Sequence, residues 1–315
     1  MRGMVRTLVL LASLGLYSPI LASDIPSSLN IWAVNDGEKI YRDALNHPAA
    51  KANSVWDGKS IHLFGSRNEI VAFQVMVPAE KKDLEIRSVS FVFNEESLNK
   101  GLEIFSEHYL QITQNTPDAD QGGWFWYPAA APKMAPAWIP DALIPLNAKP
   151  GRGGLPIKIE KGKLQGFWFD IFIPNEPALK AGVYPGKISS NTSQGPVSIP
   201  LELQVLDLVL PETDLVKTMV YISDPERRSI SRSPDRRRQF RFMAHRHRFQ
   251  PVEFVPFEMM DDYKPFLNGE AYTQAQGYEG PGQGQGHQVF AVDMYGVGTF
   301  GKTEAEWRVV ADKWM

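Results

Sequence analysis

Apolar and polar residues alternate with a period of two through much of the first 210 positions. Ile199, Leu201, Leu203 and Val205 alternate with Pro200, Glu202 and Gln204, which sends one face inward and the other outward. After Val205 the phase shifts to Leu206, Leu208 and Leu210, as at a bulge or where a strand passes between environments. Ile31 to Val34, Ile70 to Val77, Val89 to Phe93 and Phe167 to Ile173 have the same character. They are short, β-branched or aromatic, and bounded by Gly, Pro, Asn or Asp. Between Ile70 and Val77, Val71, Phe73, Val75 and Val77 share one face, while Ile70, Ala72 and Met76 make the other face apolar as well. Both faces are therefore expected to be covered, and Gln74 needs a partner for its amide. Strands at this spacing, without amphipathic helices between them, predict a β-sandwich over residues 24–212. Its expected core includes Phe73, Val75, Phe169, Ile171, Leu201 and Leu203.

The pattern changes after Pro211-Glu212-Thr213, which reads as a linker. Val216 to Ile222 is a strand candidate. Ser233 can then cap a helix, with Pro234 at its first position and Asp235 in its first turn. Phe240, Met243, Ala244 and His247 recur at helical spacing, an expected inward stripe, and Val252 to Val255 reads as the next strand. Strand, helix, strand is the unit of a parallel α/β sheet or barrel. The expected fold class is thus a β-sandwich N-terminal domain followed by the opening part of an α/β (β/α)8-type barrel, incomplete, over residues 213–315. Thr303 and Glu306 form a capping box ahead of the apolar stripe Trp307, Val310, Ala311 and Trp314. That stripe stops at Met315 without a stop signal, so the sequence reads as truncated.

Composition changes this picture little: 43% hydrophobic and 22% charged residues describe an ordinary globular chain. Residues 1–22 read as a secretory signal peptide. Arg2 and Arg6 supply the positive start, Leu8 to Leu16 the short apolar run, and Leu21-Ala22-Ser23 the small residues for cleavage. The run is too short to span a bilayer comfortably, so an exported protein without stable membrane insertion is expected. The net charge of −3 provides no global attraction for nucleic acid. With no cysteine, disulfides and a cysteine-linked lipid anchor are excluded.

The stretch HLFGSRNEIVAFQVMV, from His62 to Val77, is the centre of the sequence. A short strand meets Gly65, which can supply a positive φ for a sharp turn, before Ser66, Arg67, Asn68 and Glu69 open the next strand. The run GSRNEIVAFQV resembles the G-x-R-N-E-x-x-x-F-Q segment of secreted bacterial proteins related to glycoside hydrolase family 123, which carry the label domain of unknown function 4091. The resemblance continues through WDGKSI, IPDALIPL, FWFDIFIP, AGVYPGKI and LVLPE. It implies an N-terminal sandwich, a following barrel, and a carbohydrate ligand, including N-acetylhexosaminide-containing glycans.

Candidate chemistry is spread along the chain. Between Thr113 and Pro156 a long proline-rich connection carries Trp124, Phe125, Trp126 and Tyr127. Trp124 and Trp126 can stack on sugar rings, or the loop can fold back on its own aromatics. GYEGPGQGQGH, from Gly277 to His287, is not a dinucleotide fingerprint, because it follows no clear strand and opens no helix. It reads as a flexible loop near a site, offering Tyr278, Glu279 and His287. Asp293 and Tyr295 end the strand candidate Val289 to Met294, where a barrel would place its active site, although a structural turn suits Asp293 as well.

The crowded arginines Arg227 to Arg248 read as a solvated helix face and its flanking loop. His245 and His247 point to different helix faces and share no metal easily, and His247 is expected to pack in the core. No metal and no cofactor is expected. The family resembled is described as using an adjacent Asp-Glu pair together with the substrate's acetamido group. This sequence has no Asp-Glu dipeptide, and Asp261-Asp262 does not match that motif, so no catalytic residue carries over. The expected function is the N-terminal part of an exported glycoside-hydrolase-like protein acting on or binding carbohydrate. A non-catalytic sugar-binding or surface-interaction protein is the alternative.

Overall fold

The computed structural model describes residues 24–114, 135–214, 216–221, 233–252, 257, 260–288 and 303–314. Residues 1–23, where a signal peptide is expected, and Trp124, Trp126, Asp293 and Tyr295 lie outside them. Twelve strands are present among the described residues: β1 (Trp32–Asn35), β2 (Ile61–Arg67), β3 (Glu69–Ala79), β4 (Leu84–Phe93), β5 (Leu102–Ile112), β6 (Ala137–Pro145), β7 (Ile157–Ile159), β8 (Lys163–Ile173), β9 (Gly182–Thr192), β10 (Gly195–Val209), β11 (Met219–Tyr221) and β12 (Gln250–Val252). The helices are α1 (Glu96–Asn99), α2 (Pro234–Arg246), α3 (Met260–Leu267) and α4 (Glu304–Trp314).

Ten strands form two five-stranded sheets, ordered β1-β3-β8-β5-β6 and β2-β10-β9-β4-β7. Neighbours are antiparallel except β2 and β10, which run parallel. Alternation explains the core. Phe73 lies opposite Phe169, and Val75 opposite Phe167, on the inner face of the first sheet. Ile199, Leu201, Leu203 and Val205 of β10 join them in one continuous apolar cluster. All six expected core residues are buried. The phase shift after Val205 appears as an irregular register between β10 and β2. Met76 is buried on the outer face, and Gln74 there donates to the carbonyls of Asn35 and Glu38, each at 2.8 Å. The segment after β1 therefore lies over that face.

The expected sandwich-plus-barrel class is corrected here. Beyond the two sheets, β11 and β12 make a single parallel pair joined through α2, and no (β/α)8-type barrel forms among the described residues. The local signals behind that expectation are genuine. Ser233 caps α2 by accepting from the Arg236 N–H, and the Thr303–Glu306 box closes reciprocally at 3.0 and 3.3 Å. Start signals and one strand-helix-strand unit fix local structure only. Predominantly antiparallel pairing decides the class of the whole.

The inward stripe of α2 also differs. Arg241 and Ala244 are buried, whereas Met243 is exposed and His247 lies outside the packed face. The surface opposite α2 is aromatic, and the negative face of a ring attracts a guanidinium. Arg241 sits 4.5 Å from the ring centre of Tyr263 and 4.6 Å from that of Phe266. The solvated-face reading of the arginines fails at this position.

Candidate functional site

The turn between β2 and β3 carries the chain from one sheet to the other. Gly65 does not make that turn; it stays extended in β2, where a Cβ would come within 2.4 Å of Val71 and 2.7 Å of Ile173. Asn68 takes the left-handed conformation instead, with φ 65°, a role to which its short polar side chain is suited. Its N–H donates to Ile173 O at 2.7 Å, and its Nδ2 donates to Leu210 O at 2.9 Å. Its own carbonyl accepts from Arg248 Nη2 at 3.0 Å. Arg248 further donates to Pro211 O and reaches Asp214. Glu69 closes the turn by accepting from the Ser66 N–H at 2.6 Å. The Arg-Asn-Glu segment thus ties both sheets to the end of α2.

Beside this junction lies a cleft of about 630 Å³, within the size range of small-ligand sites. One wall comes from α1, β5 and the end of β8, with Lys100, Glu103, Phe172, Asn175 and Glu176. The other comes from Glu212, Arg246 and the loop after α3, with Gln274, Glu279 and Gln283. Arg246 Nη1 meets Glu103 Oε2 at 2.9 Å, joining the two walls. Asp170 lies buried nearby, where Trp168 Nε1 donates to it at 2.7 Å and His247 stands 3.9 Å away. Burial raises its carboxyl above the ordinary range.

Under the second wall is a separate aromatic cluster of Tyr263, Phe266, Ala271, Tyr272 and Tyr278. His245 stacks on Tyr272, with ring centres 3.7 Å apart. His287 lies between the hydroxyls of Tyr272 and Tyr263, the latter at 3.3 Å. Burial holds His245 below its ordinary value and pushes His287 down to about 3, with His245 and Arg241 adding to the second effect. The loop read as flexible is instead closely packed. Gly277, Gly280, Gly282 and Gly284 all have positive φ, which the turns require, and a Cβ on Gly282 would meet His245 Nε2 at 2.7 Å.

Of the sequence-predicted site residues, Glu279 lines the cleft, while Tyr278 and His287 lie beneath it in the aromatic cluster. Trp124, Trp126, Asp293 and Tyr295 fall outside the described residues. Glu103, Glu176, Lys100 and Arg246 were not singled out as a site. They come from two helix ends and from the ends of two strands far apart in sequence, and the only local signal is Glu176, a polar residue just beyond the strand expected from Phe167 to Ile173. Among the described residues no group of side chains could hold a metal ion, and no helix is long and apolar enough to cross a membrane.

No family model matches the chain, and no curated protein matches it either. Solved structures do. A family 123 glycoside hydrolase from Clostridium perfringens, studied for glycolipid glycan hydrolysis, is 17% identical with a TM-score of 0.42, covering 69% of this chain and 34% of that one. The periplasmic chaperone SfaE is 10% identical with a TM-score of 0.23, covering 52% of this chain and 64% of that one. The sialic acid binding region of a Streptococcus sanguinis SK1 adhesin is 13% identical with a TM-score of 0.22, covering 65% and 39%. The chain spans about a third of the length of the glycoside hydrolase it matches. At these TM-scores the likeness assigns no role to any residue of this chain.

Proposed function

We propose that this chain binds carbohydrate in the cleft beside the Asn68 turn, as part of an exported, glycoside-hydrolase-like protein. The observation that carries the reading is the chemistry of the walls. Glu176, Glu279, Asn175, Gln274 and Gln283 line one cavity together with the ring of Phe172. Carboxylates accept hydrogen bonds and amides both accept and donate them, which suits adjacent sugar hydroxyls, and an aromatic ring suits the C–H face of a pyranose. The resemblance of GSRNEIVAFQV to proteins related to glycoside hydrolase family 123 supports the same ligand class. In this reading Glu279 contacts the sugar, Tyr278 and His287 support the loop behind it, and the leader directs export. No residue of the chain is assigned a catalytic role, and the reading is one of binding.

Titration with N-acetylglucosamine and N-acetylgalactosamine, followed by NMR or calorimetry, tests this. Saturable binding weakened about tenfold or more by Glu279→Gln or Glu176→Gln is expected, the loss of a hydrogen bond to a charged group. Binding that is unaffected by both substitutions would place the ligand elsewhere.

A further inference from the structure

The glycine loop supplies Glu279 and Gln283 to the cleft, yet among its described residues it contains no regular helix or strand longer than the 3-10 turn Gln274–Gln276. Its conformation is set by bonds to the elements behind it. The Gly282 N–H donates to Glu212 Oε2 at 2.6 Å, and the Gly282 carbonyl accepts from His245 Nε2 at 2.8 Å. The Gly284 N–H donates to Tyr272 O at 2.8 Å, and Tyr278 donates through its hydroxyl to Pro281 O. At the far end the His287 N–H donates to Phe266 O at 3.1 Å, while its ring lies between Tyr272 and Tyr263. One imidazole thus holds the middle of the loop at Gly282 and the other its far end, and both rings lie against Tyr272, His245 on its face and His287 at its hydroxyl.

We propose that His245 and His287 are positioning residues for the cleft: two imidazole pins that hold residues 277–288 against α2 and α3 and so place Glu279 and Gln283 in its wall. The proposal deepens the carbohydrate-binding reading and rests on it for the identity of the ligand, but the pinning itself is a property of the loop.

Neutral imidazole fits both positions. His245 needs its proton on Nε2 to donate to Gly282 O, and His287 can donate to one tyrosine hydroxyl while accepting from the other. A charged ring would be buried among aromatic faces. The groups facing His245 are Tyr272 and Tyr278 from the loop side, Glu212 and Asp214 from the segment after β10, His287, and Arg248 beyond α2. Those facing His287 are Tyr263 of α3, Tyr272, His245 and Arg241 of α2. Among the described residues, no carboxylate thus stands against His287 to offset a positive charge.

The sign follows from linkage. Both rings are held below their open-loop value of 6.5, so the pinned loop is fully favoured above that pH and loses stability as pH falls from 6.5 toward 3.

Hydrogen exchange on the full chain tests this at the amides of Gly282, Gly284, Gln285 and His287, with rates corrected for their intrinsic pH dependence. Opening of the loop is expected to rise roughly 30-fold between pH 7.5 and 5.0, from His287 alone, while β3 and β8 amides stay protected. His287→Gln, which can still hydrogen-bond but takes no proton, should flatten that response. A residue that merely fills space would lower protection equally at both pH values. If the variant does not fold, the ring-proton titration of wild-type His287 decides. A ring still neutral at pH 5.0 in the closed loop supports the pin. An ordinary midpoint near 6.5 with the loop still protected overturns it, as does loop exchange that does not change with pH. N-acetylglucosamine affinity measured alongside separates the two readings. A loop that opens on acidification in a protein that binds no sugar at either pH leaves the pin standing and removes the ligand.

Discussion

The core between the two sheets is built of Phe, Ile, Leu and Val, whereas the cluster under the glycine loop is built of Tyr, Phe and His with Arg241 laid across two rings. In the first, a side chain contributes through the area it removes from water, roughly 25 cal/mol per Å², and direction matters little. In the second, nearly every ring brings an N–H or O–H that must find a partner, and each partner found fixes an angle. The first arrangement makes a stable frame that accommodates other apolar side chains of similar volume. The second holds a loop without regular structure in one shape. Stability and site geometry are thereby divided between two regions that meet at Asn68, Arg246 and Arg248.

The largest effect expected from breaking this contrast is at Phe73, stacked on Phe169 at 5.0 Å and edge-on to Phe91 at 6.2 Å. Phe73→Ala should cost about 3–5 kcal/mol in denaturant unfolding. A loss below about 1 kcal/mol would show that the frame does not depend on this layer.

Glu107 sharpens the contrast, because it is a carboxylate buried in the frame itself. Its Oε2 accepts from Tyr109 at 3.2 Å, but its Oε1 has no partner among the described residues. Burial raises its pKa to about 7. A folded value above the unfolded one means that its contribution is fully present below about 4.5 and is lost as pH rises through 7. Glu107→Gln should therefore be nearly neutral at pH 4 and stabilise the chain by about 3 kcal/mol at pH 8. Equal effects at both pH values would mean that the carboxylate is already ionised in the fold.

The junction comes next. Asn68→Ala combines a left-handed backbone without glycine or asparagine and an unpaired Leu210 carbonyl, an expected loss of about 2–3 kcal/mol. Asn68→Gly should recover the backbone part alone. If the two variants are equally unstable, the hydrogen bond dominates and the conformation matters little.

The same contrast explains what the sequence reveals. Alternation exposes β3, β8 and β10, because their inner faces are apolar and their register follows from that. Alternation does not mark β6 and β9, since Pro140, Pro145, Pro185 and a run of small polar residues interrupt their pattern. β6 is an edge strand, where proline is tolerated, and Pro185 lies where β9 leaves β4. Gly65 drew the turn three residues early, because a glycine signals either a positive φ or a close approach, and only the neighbouring chain decides which. The barrel was inferred from correct local signals that say nothing about how many strands follow. The cleft was legible only at Glu279, since its other members become neighbours through tertiary packing, and Arg246 looked like one of many solvated arginines.

The central claim is that the frame and the pinned loop together form a sugar site. Amide chemical-shift mapping during titration with N-acetylglucosamine tests it most directly. The account predicts saturable shifts on both walls at once, at Gly101, Asn175 and Glu176 on the frame side and at Glu279, Gly280 and Gln283 on the loop side. Saturable shifts confined to other surfaces, or none at all with this sugar or N-acetylgalactosamine, would contradict it.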